Sequence, residues 1–142
     1  MIEIKENSNN AEEFNYLYDR VQRGAYDIET TKKLLKHTLY SISVYDDNKI
    51  IGYGRLIGDG IVFVYIRDVM VAPEYQSKKI GTNIMNKLLE KINLIKQENP
   101  YVRVYLGTSK GKEDFYRKFG FITRSEAGLR EEMILKGENI DD

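Results

Sequence analysis

Apolar and polar residues change their spacing several times along the chain, and each change marks an element. Met1 to Lys5 alternates, with Ile2 and Ile4 on one face, which predicts a short strand. From Ala11 to Arg23, Phe14, Leu17, Tyr18 and Val21 recur at helical spacing, and Gly24 follows as a stop. Asp27 offers an N-cap for a second helix through Leu39, with Ile28, Leu34 and Leu35 as its apolar set. Tyr40 to Tyr45 returns to strand. Asp46, Asp47 and Asn48 carry turn chemistry, so Lys49 to Ile57 is expected to fold back as a hairpin partner. Gly58-Asp59-Gly60 forms a second turn, and Ile61 to Val71 is a β-rich run ending at Pro73.

The clearest helix is Lys79 to Gln97. Ile80, Ile84, Leu88 and Ile92 form one i,i+4 row, Met85 and Leu89 lie beside it, and Pro100 bars continuation. Val102 to Leu106 reads as a strand and Lys112 to Phe119 as a short helix stopped by Gly120. Phe121 to Thr123 and Glu132 to Leu135 read as a closing pair of strands. The expected order, β-α-α-β-β-β-α-β-α-β-β, describes an α/β (α+β) fold with a mixed central sheet flanked by helices. The strand–long helix–strand unit from Ile61 to Leu106 makes its two strands parallel neighbours, in the right-handed sense.

The 142 residues suffice to bury a core, and neither linkers nor repeats interrupt them, so residues 1–142 are expected to form a single domain. Lys and Arg number 22, matched by 22 Asp and Glu, which argues against a nucleic-acid partner. Zero Cys excludes thiol nucleophiles and thiolate metal sites, and one His excludes a multi-His centre, so no metal is expected. Met1 to Asn10 lacks the apolar segment of a signal peptide. The most apolar run, Ile61 to Ile66, falls far short of the roughly 20 residues that span a bilayer. A cytoplasmic protein without a membrane partner is the expectation.

Chemistry concentrates at the junction of the long strand and the long helix, Val69 to Thr82. A strand ends, Pro73 turns the chain, and a polar loop bearing Lys78 and Lys79 opens a helix. The first amides of a helix lack internal acceptors and the dipole is positive there, which makes Gln76 to Thr82 a ready phosphate site. Gly81 permits close approach of a ligand. The loop matches neither the P-loop nor the dinucleotide glycine pattern. The alternative reading is an ordinary solvated helix start.

At these residues the chain resembles the GNAT (GCN5-related N-acetyltransferase) superfamily, whose signature here is V-x-P-x-x-[QR]-x-x-G-x-[GA]. Val71, Pro73, Gln76, Ile80 and Gly81 fall in register, while Lys79 stands at the first Gly position. A second stretch, Phe115-Tyr116-Arg117-Lys118-Phe119-Gly120-Phe121, resembles the family's F-Y-x-K-x-G-F, with Ser109 where an Asn often stands. The resemblance implies strands splayed around acetyl-CoA. The pyrophosphate would lie on Gln76, Ser77, Lys78, Lys79, Ile80, Gly81 and Thr82, and the pantetheine arm against the backbone of Met70 and Val71. It implies direct transfer of the acetyl group to the amine of a small molecule or amino-acid-like acceptor, with Tyr116 as the acid for the departing thiolate.

Asp68 is the candidate base. It lies in an otherwise apolar strand, two residues before Met70 and so expected on the same pleat face. In glucosamine-phosphate acetyltransferases of the superfamily an acidic pair stands here; this chain has Arg67 and Asp68. The plainer readings are a structural ion pair of Asp68 with Arg67 or another Arg, and a core role for Tyr116. Two rival functions stay open: a non-catalytic acyl-CoA-sensing domain, and acetylation of a peptide or protein. The aromatics Phe14, Tyr16, Tyr18 and Tyr26 would border the acceptor pocket, with Phe14 and Tyr18 read as core. His37, Lys32, Lys33 and Lys36 are expected at the surface, Glu138 to Asp142 as a frayed tail, and the last strands as a route to a homodimer.

Overall fold

Ten short elements organise the chain in the computed structural model, which describes residues 1–21 and 24–137. They run β1 (Ile2–Glu6), α1 (Ala11–Arg20), α2 (Ile28–Lys36), β2 (Tyr40–Asp46), β3 (Lys49–Ile57), β4 (Phe63–Val71), a 3-10 turn (Pro73–Tyr75), α3 (Ile80–Glu98), β5 (Arg103–Leu106) and α4 (Glu113–Arg117). The chain forms two units, Met1–Gly107 and Thr108–Asp142. Among the described residues no helix is long and apolar enough to cross a membrane.

The first unit is a five-stranded mixed sheet in the order β1-β2-β3-β4-β5. The first four strands are antiparallel, and β5 joins β4 in parallel after the α3 crossover. The β2–β3 turn has φ of +48° at Asp47 and +68° at Asn48, the twist-matched geometry that Asp and Asn tolerate. At the next turn the Asp59 carboxylate accepts from the amides of Ile61, Val62 and Phe63, so the strand begins at Phe63 rather than Ile61. Asp27 caps α2 through the Thr30 amide, as its position predicts; the helix stops at Lys36 with His37 as C-cap, three residues before the expected end.

The sheet has a helix on each face. Ile80, Ile84, Met85, Leu88 and Ile92 of α3 are all buried, and α3 packs on β2, β3 and β4. Glycines let it sit close: a Cβ on Gly54 would lie 2.8 Å from Ile84 Cγ2. The opposite face carries α1, where Phe14 meets Tyr53 edge-on with ring centroids 5.3 Å apart. Phe14, Leu17 and Tyr18 are the buried set of α1, while Tyr16 and Tyr26 are exposed.

The second unit departs from the expectation of two closing strands. Phe121 to Thr123 and Glu132 to Leu135 are not strands; the chain turns through residues 124–128 instead. Glu126 accepts from the Thr123 amide and hydroxyl and from Arg117, which closes the turn locally. A strand needs a ladder partner, and the described residues of this unit contain none. Met133 and Leu135 are consequently 92% and 93% exposed. The expected tail, Glu138 to Asp142, and the helix end at Arg23 lie outside the described residues.

Candidate active site

The β4–β5 ladder pairs Phe63 with Arg103 through Ile66 with Leu106, and there it ends. From Arg67 to Val71, β4 continues without a β5 partner while still paired to β3. A bulge falls at this point. Tyr53 pairs with Met70 and Arg55 with Arg67, so β4 carries one residue more than β3. Asp68 sits there with φ +56°, left-handed backbone that Asp tolerates better than most side chains. Simple alternation from Asp68 to Met70 therefore does not describe the strand.

The Asp68 carboxylate accepts from Arg55 Nε at 2.7 Å, and the two side chains are 8% and 7% exposed. Its partner is thus Arg55 on β3; Arg67 is exposed. Arg55 Nη1 also donates to the Leu34 carbonyl and Thr38 Oγ1, each at 3.3 Å, at the end of α2. Sequence reasoning missed Arg55. The available signal was a lone charge in the apolar run Ile50 to Ile57, since a buried charge requires a partner. Beside it, burial pushes the Tyr53 phenol up to about 12, and its hydroxyl donates to Asn9 Oδ1.

After Val71 the chain turns through Pro73–Tyr75 into the loop that opens α3. Gln76, Ser77, Lys78 and Lys79 are exposed, Gly81 and Thr82 half-buried, and Ile80 buried. The Gln76 side-chain amide donates to the Val71 carbonyl at 3.1 Å, tying the loop back to β4. Ser77 and Lys79 have φ of +64° and +66°. Lys79 is the N-cap of α3, one residue outside the helix that the pattern placed it in, and its side chain makes no capping hydrogen bond to α3. Its left-handed backbone is the conformation a glycine at this position adopts without strain. Lys78 Nζ lies 5.5 Å from the Tyr75 ring centroid. The Tyr75 phenol in turn donates to Asp46 and holds that carboxyl below the usual carboxylate range. Uncapped helix amides, an exposed loop and two lysines suit a phosphate-bearing ligand such as the one the motif implies.

Tyr116 belongs to the second unit. It is half-buried on α4, with ring centroids 5.0 Å from Phe115 and 6.5 Å from Phe121. Ser109 accepts through its carbonyl from the Lys112 amide at 3.0 Å, which sets the entry to α4. The Glu126 carboxyl of the same unit is pulled down to about 2 by the Thr123 amide and by Arg117.

Residues 38–123 match the model of the acetyltransferase (GNAT) domain. Solved structures resemble nearly the whole chain, two of them as follows. One, a protein of unknown function and probable acetyltransferase from meticillin-resistant Staphylococcus aureus, is 26% identical with a TM-score of 0.84, over 96% of this chain and 100% of that one. The other, a GNAT-family acetyltransferase from Streptococcus pneumoniae, is 30% identical with a TM-score of 0.79, over 97% and 100%. The chloroplastic GCN5-related N-acetyltransferase 1 of Arabidopsis thaliana is 26% identical over 116 residues, 80% of this chain and 57% of that protein. The chain spans little more than half the length of the first curated relatives it matches.

Proposed function

The chain belongs to the GNAT acetyltransferase family, and from that premise we propose that residues 1–142 act as one acetyl-CoA-dependent N-acetyltransferase domain for the amine of a small or amino-acid-like acceptor. What carries the reading is a single arrangement: β4 loses its β5 partner after Ile66, and the same strand leads into the uncapped start of α3. A thioester arm could lie along the free edge of Met70 and Val71 while its phosphates meet Gln76 to Thr82. The Val71 carbonyl already serves Gln76, so the arm would share that acceptor or use the neighbouring backbone groups.

Acetyl-CoA supplies an activated acyl group. The chain must take the proton from the acceptor's ammonium and provide one for the leaving thiolate. An alkyl ammonium of pKa about 10 is deprotonated in only about one molecule in a thousand at pH 7, so proton removal must be assisted. Tyr116 Oη is our candidate for holding the proton that the thiolate receives. Asp68 is the weaker candidate, for the base. Its Oδ2 is engaged by Arg55, and taking a proton would leave a buried guanidinium unpaired.

The test mixes the protein with acetyl-CoA and a library of amines and measures free thiol. Thiol release dependent on an amine supports the reading; saturable CoA binding with no turnover on any amine sinks it. That second outcome would favour an acyl-CoA-sensing domain, for which the strained Lys79 in a glycine position speaks. Running peptides beside free amines in the same assay separates a peptide acetyltransferase from a small-molecule one.

A further inference from the structure

We propose that Arg55 is a positioning residue for the acyl-transfer site, clamping the β4 bulge to the end of α2. The proposal rests on the acetyltransferase reading, because the alignment of Met70 and Val71 has catalytic meaning only with an acyl donor along them.

Three elements meet at one guanidinium. Nε holds Asp68 at the bulge, while Nη1 holds the Leu34 carbonyl and Thr38 Oγ1 at the end of α2. Arg55 itself is anchored within β3, its backbone paired with Arg67 of β4. Only a planar fork with several fixed donors can reach both sides at once; the single ammonium of a Lys cannot. The bulge sits where β4 parts from β5, immediately before the strand segment assigned to the thioester. A shift of the α2 end therefore pulls on the bulge, and a shift of the bulge moves Val69 to Val71.

Stability alone is a poor reason for this pair. Well-packed apolar side chains in place of a buried ion pair are often neutral or stabilising. Left-handed backbone at Asp68 adds a cost that a plain strand would avoid. What the pair supplies is one defined backbone geometry at the point where the sheet opens.

The decisive variant is the paired change Arg55→Met with Asp68→Gly. It removes both charges together, and Gly adopts the left-handed bulge freely, so the variant is expected to fold. Measured against wild type are the melting temperature, steady-state turnover of acetyl-CoA with the amine from the thiol screen, its pH profile, and hydrogen exchange of the Val69 to Val71 amides. The expected result is a melting temperature near wild type, kcat/KM for acetyl-CoA lower by about 10²-fold, the scale of a small misplacement at a reacting centre, an unmoved pH profile, and faster amide exchange. Arg55→Lys, which keeps a charge against Asp68, should show the same losses at smaller size and guards against a paired variant that does not fold. Wild-type turnover and wild-type exchange in either variant overturn the proposal. An Asp68→Asn enzyme whose activity falls most at low pH also overturns it, because Asp68 is then the base. If wild type turns over no amine, the acetyltransferase reading fails separately, and the exchange of Val69 to Val71 still decides whether Arg55 holds the strand.

Discussion

Lys79 illustrates how one side chain sets both strain and electrostatics. Its φ of +66° is a region where an L-residue costs about 1–2 kcal/mol, partly offset in Gly by the entropy that a freer unfolded chain loses. Lys79→Gly is therefore expected to stabilise the fold by about 0.5–1 kcal/mol in urea unfolding. Greatly tightened CoA binding in the same variant would favour the sensing role over catalysis. Tyr116→Phe is expected to lower kcat by about 10²-fold, the low end of general acid–base contributions; unchanged turnover across the pH range would remove Tyr116 from the mechanism. Glu126 reports on pH. Its folded carboxyl titrates at about 2, below the ordinary value of 4.5, so its hold on Thr123 and Arg117 is present at neutral pH and is lost as pH falls toward 2. An NMR titration of the Thr123 amide should show the turn opening in that window; a transition near 4.5 would show that the hold is absent. At this scale the sequence was partly legible. A Lys in a glycine position and an Asp in an apolar strand both stood out. The partner of Asp68 did not, because pairing across a bulge depends on register that no local pattern encodes.

Elements whose signals are local were read correctly from their residues. The β2–β3 hairpin follows from its turn residues, and α3 from a row of four apolar positions that all prove buried. The closing strands were misread because a short apolar run becomes a strand only beside a partner, and periodicity cannot supply one. Close packing of α3 on β3 was likewise hidden in two glycines. With a Cβ at Gly54 only 2.8 Å from Ile84 Cγ2, Gly54→Ala should cost about 1–3 kcal/mol by overpacking. Leu88→Ala, on the same helix face, should cost about 2–5 kcal/mol by leaving a cavity. Urea denaturation measures both, and a Gly54→Ala protein as stable as wild type would show that α3 can retreat from the sheet.

For the whole molecule, the equal counts of acidic and basic side chains conceal a local arrangement, with Lys78 and Lys79 beside the start of α3. CoA binding should consequently weaken as salt rises toward 0.5 M, a condition in which exposed charges act over only about 4–5 Å. The melting temperature should barely respond, because exposed ion pairs contribute little. Titration calorimetry at two salt concentrations checks this, and salt-independent binding would remove the lysines from the site. The family was legible because two ordered motifs flank the long helix and β5; the acceptor was not, because nothing local marks the residues that would face it. The bulge has one more consequence. Removing a residue from a strand ordinarily turns every later side chain to the opposite face of the sheet. Here Met70 and Arg67 both face partners two apart on β3, so Asp68 is the supernumerary residue of β4. A chain lacking Asp68, with Arg55→Met to avoid an orphaned charge, would keep every other strand pairing and the packing of α1 and α3 on the two faces of the sheet. Excising that one inserted residue separates the register of the sheet from its bulge, and whatever turnover such a shortened chain loses reports on the bulge together with the Asp68 carboxylate and Arg55.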